Sequence, residues 1–266
     1  NPLASLVDVS GTNFTNCANN SILYDLFVSD SSTGASINNY TIIWGDGSPN
    51  YSSSTPPLSL QHTYNGLGYF YLTYIVTTNN GCTDTTIQSV FNGTNPSVGL
   101  TNPGNTNGCL PLSLTFPITP APSNPPGTTY TVTFNDGSAP VVLNHPPPAS
   151  ITHIFNTSSC GATGSPNPNS FFVSILAENP CGSSGASVYP IYLSAPPVAD
   201  FTFSPDPRCV NQPVTFTNTS INSVNVSQLI GCDSSDRQNW IISPATGWLL
   251  SGGSLGTSTP PFGGTD

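Results

Sequence analysis

The sequence Trp-Gly-Asp-Gly-Ser occupies residues 44–48, directly after the apolar run Tyr-Thr-Ile-Ile, and His-Thr-Tyr follows at residues 62–64. An Asp-Gly pair that follows an apolar run predicts a tight turn between strands. Residues 68–76 then alternate strictly, which predicts a half-buried strand because successive side chains of a strand point to opposite faces. We expect one face of that strand to enter the core, and its residues are Phe70, Leu72, Tyr74 and Val76.

Further strands are predicted throughout the first 95 residues. Short apolar or alternating runs near residues 6–9, 22–28 and 40–44 indicate three of them, and Asn80-Gly81 indicates a turn into a last strand that passes Val90. No stretch keeps a helical period over three turns, and the 28 prolines are spread along the chain. The sequence therefore predicts an all-β fold built of tandem immunoglobulin-like β-sandwiches.

The same pattern recurs along the chain. Residues 96–196 repeat the plan of residues 1–95, and residues 197–266 begin a third copy, in which Trp240 stands where Trp44 stood. A period of about 90–100 residues indicates a series of domains. We therefore expect domains at 1–95 and 96–196 and an incomplete third at 197–266. The matching features of the first two are residues 45–48 with 135–138, His62 with His153, Cys17 with Cys109, and Cys82 with Cys181.

Charged residues make up only 5% of the 266-residue chain, against about 25% in an average soluble protein. The chain has no lysine, only Arg208 and Arg237 as cations, and a formal net charge of -10. This balance argues against binding to nucleic acid or to an anionic membrane surface, and no apolar run is long enough for membrane insertion. A surface of hydroxyls and amides, with seven cysteines, indicates an oxidising extracellular or cell-surface location.

Taken together, the Trp-Gly-Asp-Gly-Ser, His-Thr-Tyr and Gly-x-Phe-x-Leu-x-Tyr-x-Val series resembles the PKD domain, a seven-stranded immunoglobulin-like sandwich. The endings at residues 80–85 (Asn-Gly-Cys-Thr-Asp-Thr) and 179–182 (Asn-Pro-Cys-Gly) are similar to disulfide-bearing PKD repeats of very large bacterial surface proteins. Such proteins are typically exported by the type IX pathway and act in adhesion, gliding or surface fibres. The second unit departs from the pattern with Phe-Asn at 134–135, and the third matches only in its first half.

The resemblance implies a non-enzymatic extracellular protein, either a stalk, a fibre subunit or an adhesin fragment, open to glycosylation. Its expected partners are other copies of itself, further domains of a longer chain, or glycans. The alternative is an accessory polysaccharide-binding region of a secreted glycosidase or protease. Matching apolar patches at domain junctions would favour the fibre, whereas an exposed aromatic platform spaced for sugars would favour the alternative.

Two aspartates and three histidines are the residues most easily mistaken for a catalytic or metal site. Asp46 and Asp136 each stand in an Asp-Gly turn, where an aspartate accepts hydrogen bonds from nearby backbone amides. His62 and His153 share one repeat position, which indicates a packing role, and with His145 they lack a metal-binding spacing. No paired acids and no activated nucleophile are recognisable, so we expect no catalytic residue, metal or cofactor.

The cysteines carry a pairing prediction that depends on the immunoglobulin-like topology. In such a sandwich we expect the second strand to start at the end where the sixth strand finishes, which would bring the first and last cysteines of each unit together. Each bond would close a loop of roughly 65–75 residues and stabilise its domain by about 3–4 kcal/mol. The predicted disulfides are Cys17–Cys82 and Cys109–Cys181, while Cys160, Cys209 and Cys232 are left without an assigned partner.

Surface residues supply two further sets of candidate sites. The outward face of residues 68–76 carries Tyr69, Tyr71 and Ile75, and we expect a neighbouring domain, a subunit or a glycan to cover them. Thr85 lies in an Asp-Thr-Thr sequence that fits short bacterial O-glycan acceptors. The Asn-x-Ser/Thr sequons are Asn13, Asn19, Asn39, Asn50, Asn92, Asn156, Asn218 and Asn225.

The third unit lacks counterparts of residues 62–64 and 68–76. A sandwich without two of its strands exposes unpaired backbone and bare core together. Two solutions are open: the protein continues beyond Asp266, or a strand from another subunit completes the sandwich, as in donor-strand fibres. The apolar residues that need those strands are Phe201, Phe203, Val214, Phe216 and Trp240.

Overall fold

The computed structural model describes residues 1–17, 22–206, 211–234, 236, 238–243 and 246–255. In these ranges the chain forms strands and no helix, so the predicted all-β class is confirmed. Two immunoglobulin-like sandwiches follow each other, and two small sheets come after them. None of the described segments is a helix with the length and apolar character needed to cross a membrane.

The first sandwich contains eight strands. They are β1 (Leu6–Asp8), β2 (Thr15–Asn16), β3 (Leu23–Asp30), β4 (Ile37–Ile43), β5 (Tyr51–Ser53), β6 (Leu60–Asn65), β7 (Gly68–Thr78) and β8 (Thr83–Asn92). One sheet has the order β1-β3-β6, and the other has the order β2-β8-β7-β4-β5. The short strand β2 pairs in parallel with the end of β8, whereas the other pairs are antiparallel.

The core of the first sandwich lies between these sheets. The alternating strand β7 contributes Leu72, Tyr74 and Val76, which are fully buried, and Phe70 packs partly buried at the edge of the core. Leu26 of β3 faces them from the other sheet and is also fully buried. Because each such side chain contributes about 1.5–3 kcal/mol when it leaves water, the predicted alternation of residues 68–76 defines the centre of the core.

The second sandwich repeats the topology of the first. Its strands are β9 (Val98–Leu100), β10 (Asn107–Cys109), β11 (Leu112–Pro120), β12 (Thr129–Phe134), β13 (Val141–Asn144), β14 (Ser150–Phe155), β15 (Phe171–Asn179) and β16 (Gly182–Ser194). The sheet orders are β9-β11-β14 and β10-β16-β15-β12-β13. Its fully buried core includes Phe116, Tyr130, Val132, Phe155 and Val173.

The described residues after the second sandwich form two two-stranded sheets. Their strands are β17 (Phe201–Ser204) with β18 (Thr215–Asn218), and β19 (Asn225–Ser227) with β20 (Gly231–Asp233). Trp240, the expected counterpart of Trp44, lies outside these strands, and its backbone N–H donates to the Leu255 carbonyl at 2.8 Å. Its ring lies 5.5 Å from that of Phe201, which remains 51% exposed. Among the described residues an aromatic cluster therefore forms whose rings stay partly in contact with solvent.

Candidate functional site at the interdomain junctions

Each sandwich contains one aspartate–histidine pair beside an aromatic ring. In the first, the Asp46 carboxylate (Oδ2) lies 2.8 Å from His62 Nε2, and the His62 ring stacks on Trp44 at 4.1 Å. The Gly-Asp-Gly turn brings the Ser48 amide and hydroxyl to the other carboxylate oxygen at 3.0 and 2.6 Å. The aspartate thus accepts hydrogen bonds from its own turn and from β6.

The second sandwich has the same arrangement with different aromatic chemistry. His153 Nε2 lies 2.7 Å from Asp136 Oδ2, and its ring stacks on Phe134 at 3.9 Å. The Ser138 amide donates to Asp136 Oδ1 at 3.0 Å. Phenylalanine therefore replaces tryptophan under the histidine without a change in the geometry of the pair.

Hydrogen bonding sets the ionisation of both carboxylates. Burial would raise the pKa of Asp46, but hydrogen bonds from Ser48 and His62 outweigh burial and lower the pKa below its usual value of 3.8. Burial also opposes the lowering at Asp136, where His153 and Ser138 supply the hydrogen bonds. A general acid or base needs a pKa near the working pH, so these shifts have the opposite sign to catalysis. Each pair packs on an aromatic ring of its own sandwich, and the described residues contain no cluster of three metal-binding side chains.

The end of the first sandwich that meets the second is closed by Asn92. Its side chain is fully buried and donates to the carbonyls of Ile22 and Gly66 at 2.8 and 2.6 Å. Its amide oxygen accepts a hydrogen bond from Asn16 at 2.8 Å. One side chain therefore ties together the start of β3, the turn after β6 and the end of β2.

A proline-rich loop of the second sandwich covers this end. A Cβ atom built on Gly127 (φ +90°) would lie 2.5 Å from the ring of Tyr69, and one built on Gly68 would lie 3.1 Å from Pro126. The Tyr69 ring also packs on Phe91 at 4.8 Å, and Phe91 is 1% exposed. Close backbone approach at Gly127 needs a residue without a side chain, so the junction is specific to this loop.

A disulfide joins the two sandwiches at the same junction. Cys17, directly after β2, is bonded to Cys181 in the turn between β15 and β16, with a Cα–Cα distance of 5.4 Å. The Asn179 side chain donates to the Thr94 carbonyl at 3.1 Å and to Thr128 Oγ1 at 3.2 Å. Covalent and hydrogen bonds therefore fix the second sandwich against the chain that enters it.

A second disulfide joins the other end of the second sandwich to the chain that follows. Cys160, in the loop before β15, is bonded to Cys232 of β20 with a Cα–Cα distance of 5.5 Å. Nearby, the Val226 amide donates to Ser194 Oγ at 2.9 Å, and Ala195 and Val224 form a β-bridge. Two disulfides thus lie at opposite ends of β15, and each one joins neighbouring units.

The predicted pairs Cys17–Cys82 and Cys109–Cys181 are wrong. In the structure β3 pairs antiparallel with β6, and β7 begins at Gly68 directly after β6, so β3 starts at the end where β7 begins. Cys82 lies in the turn after β7, roughly 30 Å away along the ten-residue strand β8. Cys82 and Cys109 are free and exposed. The unassigned Cys160 and Cys232 pair with each other, and Cys209 lies outside the described residues.

The candidate glycosylation sites differ in access. The structure contradicts Asn92 as a glycosylation candidate. Its buried amide nitrogen already donates to two carbonyls, and the fold leaves no room for a glycan. Asn19 lies outside the described residues, and Asn39 and Asn218 are partly buried. The exposed candidates are Asn13, Asn50, Asn156, Asn225 and Thr85.

The three outward residues of β7 have different surroundings. Tyr69 packs on Phe91 and against Gly127 of the second sandwich. Tyr71 is 64% exposed, and Ile75 is partly buried within the sheet. Among the junction residues, the sequence indicated Asn92 only as a glycosylation candidate and did not single out Pro126 and Gly127, although the Pro-Pro-Gly run at 125–127 was a visible signal of a rigid loop.

No protein-family model and no curated protein sequence matches this chain. Among solved structures it is similar to fibronectin(III)-like modules of Clostridium thermocellum CbhA, with 13% identity, a TM-score of 0.30, and coverage of 71% of this chain and 95% of that one. It is also similar to murine CEACAM1b (11%, TM-score 0.36, 73% and 100%) and to a 1.5-MDa bacterial ice-binding adhesin (11%, TM-score 0.27, 77% and 68%). These similarities concern the fold alone.

Proposed function

We propose that this chain is part of an extracellular structural protein, a stalk or fibre segment in which immunoglobulin-like domains of the PKD type are joined end to end. The domain division 1–95, 96–196 and 197–266 belongs to this proposal. The type IX export of large bacterial surface proteins, implied by the resemblance, belongs to it as well. The chain acts without catalysis, and its partners are other copies of itself or further domains of the same kind.

The observation that carries this proposal is the overlap of the two disulfides along the sequence. Cys17–Cys181 spans 164 residues, Cys160–Cys232 spans 72, and the two loops share residues 160–181. Tension between the chain ends would pass from Cys17 to Cys181, back along residues 160–181, and from Cys160 to Cys232. Most of both sandwiches lies outside this covalent path.

The shared segment is poorly extensible where it forms β15. A strand already rises about 3.3 Å per residue, close to the limit of about 3.6 Å for a fully extended chain. β15 is also the middle strand of a five-stranded sheet, with β16 and β12 bonded on its two sides. A path of this kind transmits force without unfolding a domain, which is what a stalk or fibre requires.

Composition supports an extracellular location. Disulfides persist in oxidising compartments, and small domains with few ion pairs gain most from them. The surface depends on Ser, Thr and Asn, because charged residues are 5% of the chain. The rival function, polysaccharide binding beside a catalytic domain, has less support, because Tyr71 is 64% exposed but Tyr69, at 41%, packs on Phe91 and against Gly127.

Electron micrographs of the native secreted protein test this proposal directly. We expect thin rods or fibres with a repeat of one domain length. Separate compact particles, each with an attached catalytic domain, would overturn the fibre in favour of the rival function.

Force spectroscopy tests the proposed path. We expect the oxidised chain, tethered at both ends, to extend by at most roughly 25 nm, and the reduced chain to extend by roughly 90 nm. The double variant C17S/C181S should extend to an intermediate length, and C82S/C109S should behave as the parent because neither thiol is bonded. Full extension of the oxidised parent would contradict the path.

A further inference from the structure

Cys109 occupies in the second sandwich the place that Cys17 occupies in the first. Cys17 follows β2, whose Asn16 pairs in parallel with Asn92 at the end of β8, and the Gly93 amide donates to the Asn16 carbonyl at 2.9 Å. Cys109 ends β10, where it pairs in parallel with Ser194 at the end of β16. Both cysteines therefore lie at the end of the last strand, where the chain leaves its sandwich.

Cys82 and Cys181 occupy a second shared place, the turn between the two longest strands. The Cys82 carbonyl accepts a hydrogen bond from the Thr78 amide at 2.9 Å and closes the turn from β7 to β8. Cys181 lies in the shorter turn from β15 to β16, where its amide bonds to Asn179 Oδ1 at 2.8 Å. In the first sandwich, the turn that carries Cys82 lies at the end where the chain enters, because the Ala4 amide donates to Asp84 Oδ2 at 2.6 Å.

The one disulfide between the sandwiches joins these two kinds of position. Cys17 is an exit cysteine, at the end of the last strand, and Cys181 is an entry cysteine, in the turn. The free thiols are one of each kind: Cys82 is an entry cysteine and Cys109 is an exit cysteine, and both are exposed. Each free thiol therefore has a bonded counterpart in the neighbouring unit.

The surroundings of Cys109 supply a second, independent observation, which is a buried polar group without a partner at this end of the second sandwich. Tyr192 pairs with Asn107 two residues before Cys109, as Phe91 pairs with Thr15 two residues before Cys17. Tyr192 is 5% exposed, and its hydroxyl has no hydrogen-bond partner within the described part of the chain. A buried hydroxyl without a partner is costly, so this end of the sandwich is shaped for a group that the described residues do not supply.

The chain that follows begins its own pairing as the second sandwich does, and it contacts the end of the second sandwich through the Ala195–Val224 bridge and the Val226 amide, which donates to Ser194 Oγ. Val198 bridges Ile221, which corresponds to the pairing of Val98 with Pro120 in the second sandwich. The counterpart of the turn that carries Cys181 is not among the described residues. Within the described residues, no entry cysteine therefore lies beside Cys109.

We propose that Cys82 and Cys109 each form an interdomain disulfide with a cysteine of another domain of this same repeat type. Bonds of this kind would join successive domains in series. Cys82 receives an exit cysteine placed like Cys17, and Cys109 receives an entry cysteine placed like Cys181. This inference rests on the proposed fibre or stalk and specifies how its units are joined. Each bond forms from two thiols, whose two protons and two electrons pass to a disulfide oxidant that is reduced to two thiols.

Thiol mapping of the native secreted protein tests this series. The protein is denatured without reductant, alkylated with iodoacetamide, digested, and analysed by mass spectrometry. We expect Cys82 and Cys109 to escape alkylation and to appear in cross-linked peptides whose partners are cysteines of repeat domains. Electrophoresis with and without reductant shows whether a partner belongs to the same chain or to a second copy.

Serine variants identify the partner positions. C82S should leave one newly alkylated cysteine, at an exit position, and C109S should leave one at an entry position. The control C17S should expose Cys181 and nothing else, because its partner is known.

Alkylation of Cys82 and Cys109 in protein whose Cys17–Cys181 bond is intact would overturn the inference, as would a Cys82–Cys109 bond within one chain or mixed disulfides with small thiols. Fibres in micrographs together with free thiols at both positions would overturn this inference alone and leave the proposed function in place.

Discussion

The first two sandwiches and the chain that follows them start from similar sequence and end in different states. Phe116 of β11 is fully buried, whereas Phe216 of β18, the strand that likewise follows a cysteine, is 45% exposed. Phe201 and Phe203 are 51% and 37% exposed, although their rings lie within 6.0–6.3 Å of Phe216. The described aromatic residues after residue 196 thus cluster while they remain partly in contact with water.

The difference lies in the strands that supply the second layer. In the first sandwich β7 pairs with β4 and β8 at once and places Leu72, Tyr74 and Val76 against β3. The described residues after 196 contain no long alternating strand of this kind. Burial, and with it most of the hydrophobic free energy, therefore depends on the last two strands of each unit and not on its opening ones.

The largest expected effect contrasts a core residue of β7 with its exposed counterpart after residue 196. Leu72→Ala should lower the free energy of unfolding of the first sandwich by about 2–5 kcal/mol, because it leaves a cavity in a closed core. Phe216→Ala should cost less than about 1 kcal/mol, since nearly half of that side chain is already in water. Denaturant unfolding, monitored in each region by hydrogen exchange, measures both changes in the free energy of unfolding.

Equal losses of unfolding free energy for the two variants would contradict this difference between the first sandwich and the chain after residue 196. They would mean that Phe216 is covered in solution by a further strand, as a donor-strand partner or a continuation of the chain would provide.

The second expected effect concerns the junction. Asn92→Ala removes a fully buried side chain that donates to the Ile22 and Gly66 carbonyls, and we expect the loss of these hydrogen bonds to cost about 1–3 kcal/mol. Asn50→Ala, at an exposed sequon, is the matched control and should change stability by less than about 0.5 kcal/mol. Thermal unfolding measures both, and a neutral Asn92→Ala would show that the joint does not depend on this side chain.

Local and long-range features differed in how far the sequence predicted them. The alternation of residues 68–76 identified the buried face of β7, because a strand has a fixed period of two that local sequence displays. The Asp-Gly turns likewise predicted that Asp46 and Asp136 accept hydrogen bonds from backbone amides, here those of Ser48 and Ser138, because a tight turn is determined by adjacent residues. In the first sandwich the sequence did not predict strands β2, β5 and β6, since these short or polar segments carry no such period.

The junction was beyond local reasoning. Which end of β7 lies beside Cys17 depends on the directions of β3, β6 and β7. Because the direction of one strand was predicted wrongly, the expected partner of Cys17 was Cys82, whereas the structure has Cys181. The packing of Tyr69 against Gly127 depends on how one domain meets the next. Neither relation leaves a pattern within a single stretch of sequence, although the repeat of cysteine positions is visible there.

The smallest expected effect is a loss of stability in acid that only the two complete sandwiches share. Hydrogen bonds hold the pKa values of Asp46 and Asp136 below the usual 3.8, so the folded state favours the charged carboxylates. The resulting stabilisation is complete above the unfolded pKa, near 3.8, and is lost as the pH falls from there through the lower folded pKa. The free energy of unfolding should therefore decline below about pH 4.

Variants separate these two carboxylates from the other acids of the chain, such as Asp8, whose pKa is also lowered against the opposing effect of burial by hydrogen bonds from Ser10, Phe14 and Thr12. D46N/D136N should unfold at a lower denaturant concentration at pH 7 and show a shallower decline between pH 4.5 and about pH 2.5 than the parent. The three histidines all precede residue 196, so protection of residues 197–255 from hydrogen exchange should not follow this decline. An unchanged pH slope in the double variant would mean that the aspartate–histidine pairs do not cause the difference in acid stability between the two sandwiches and the chain after residue 196.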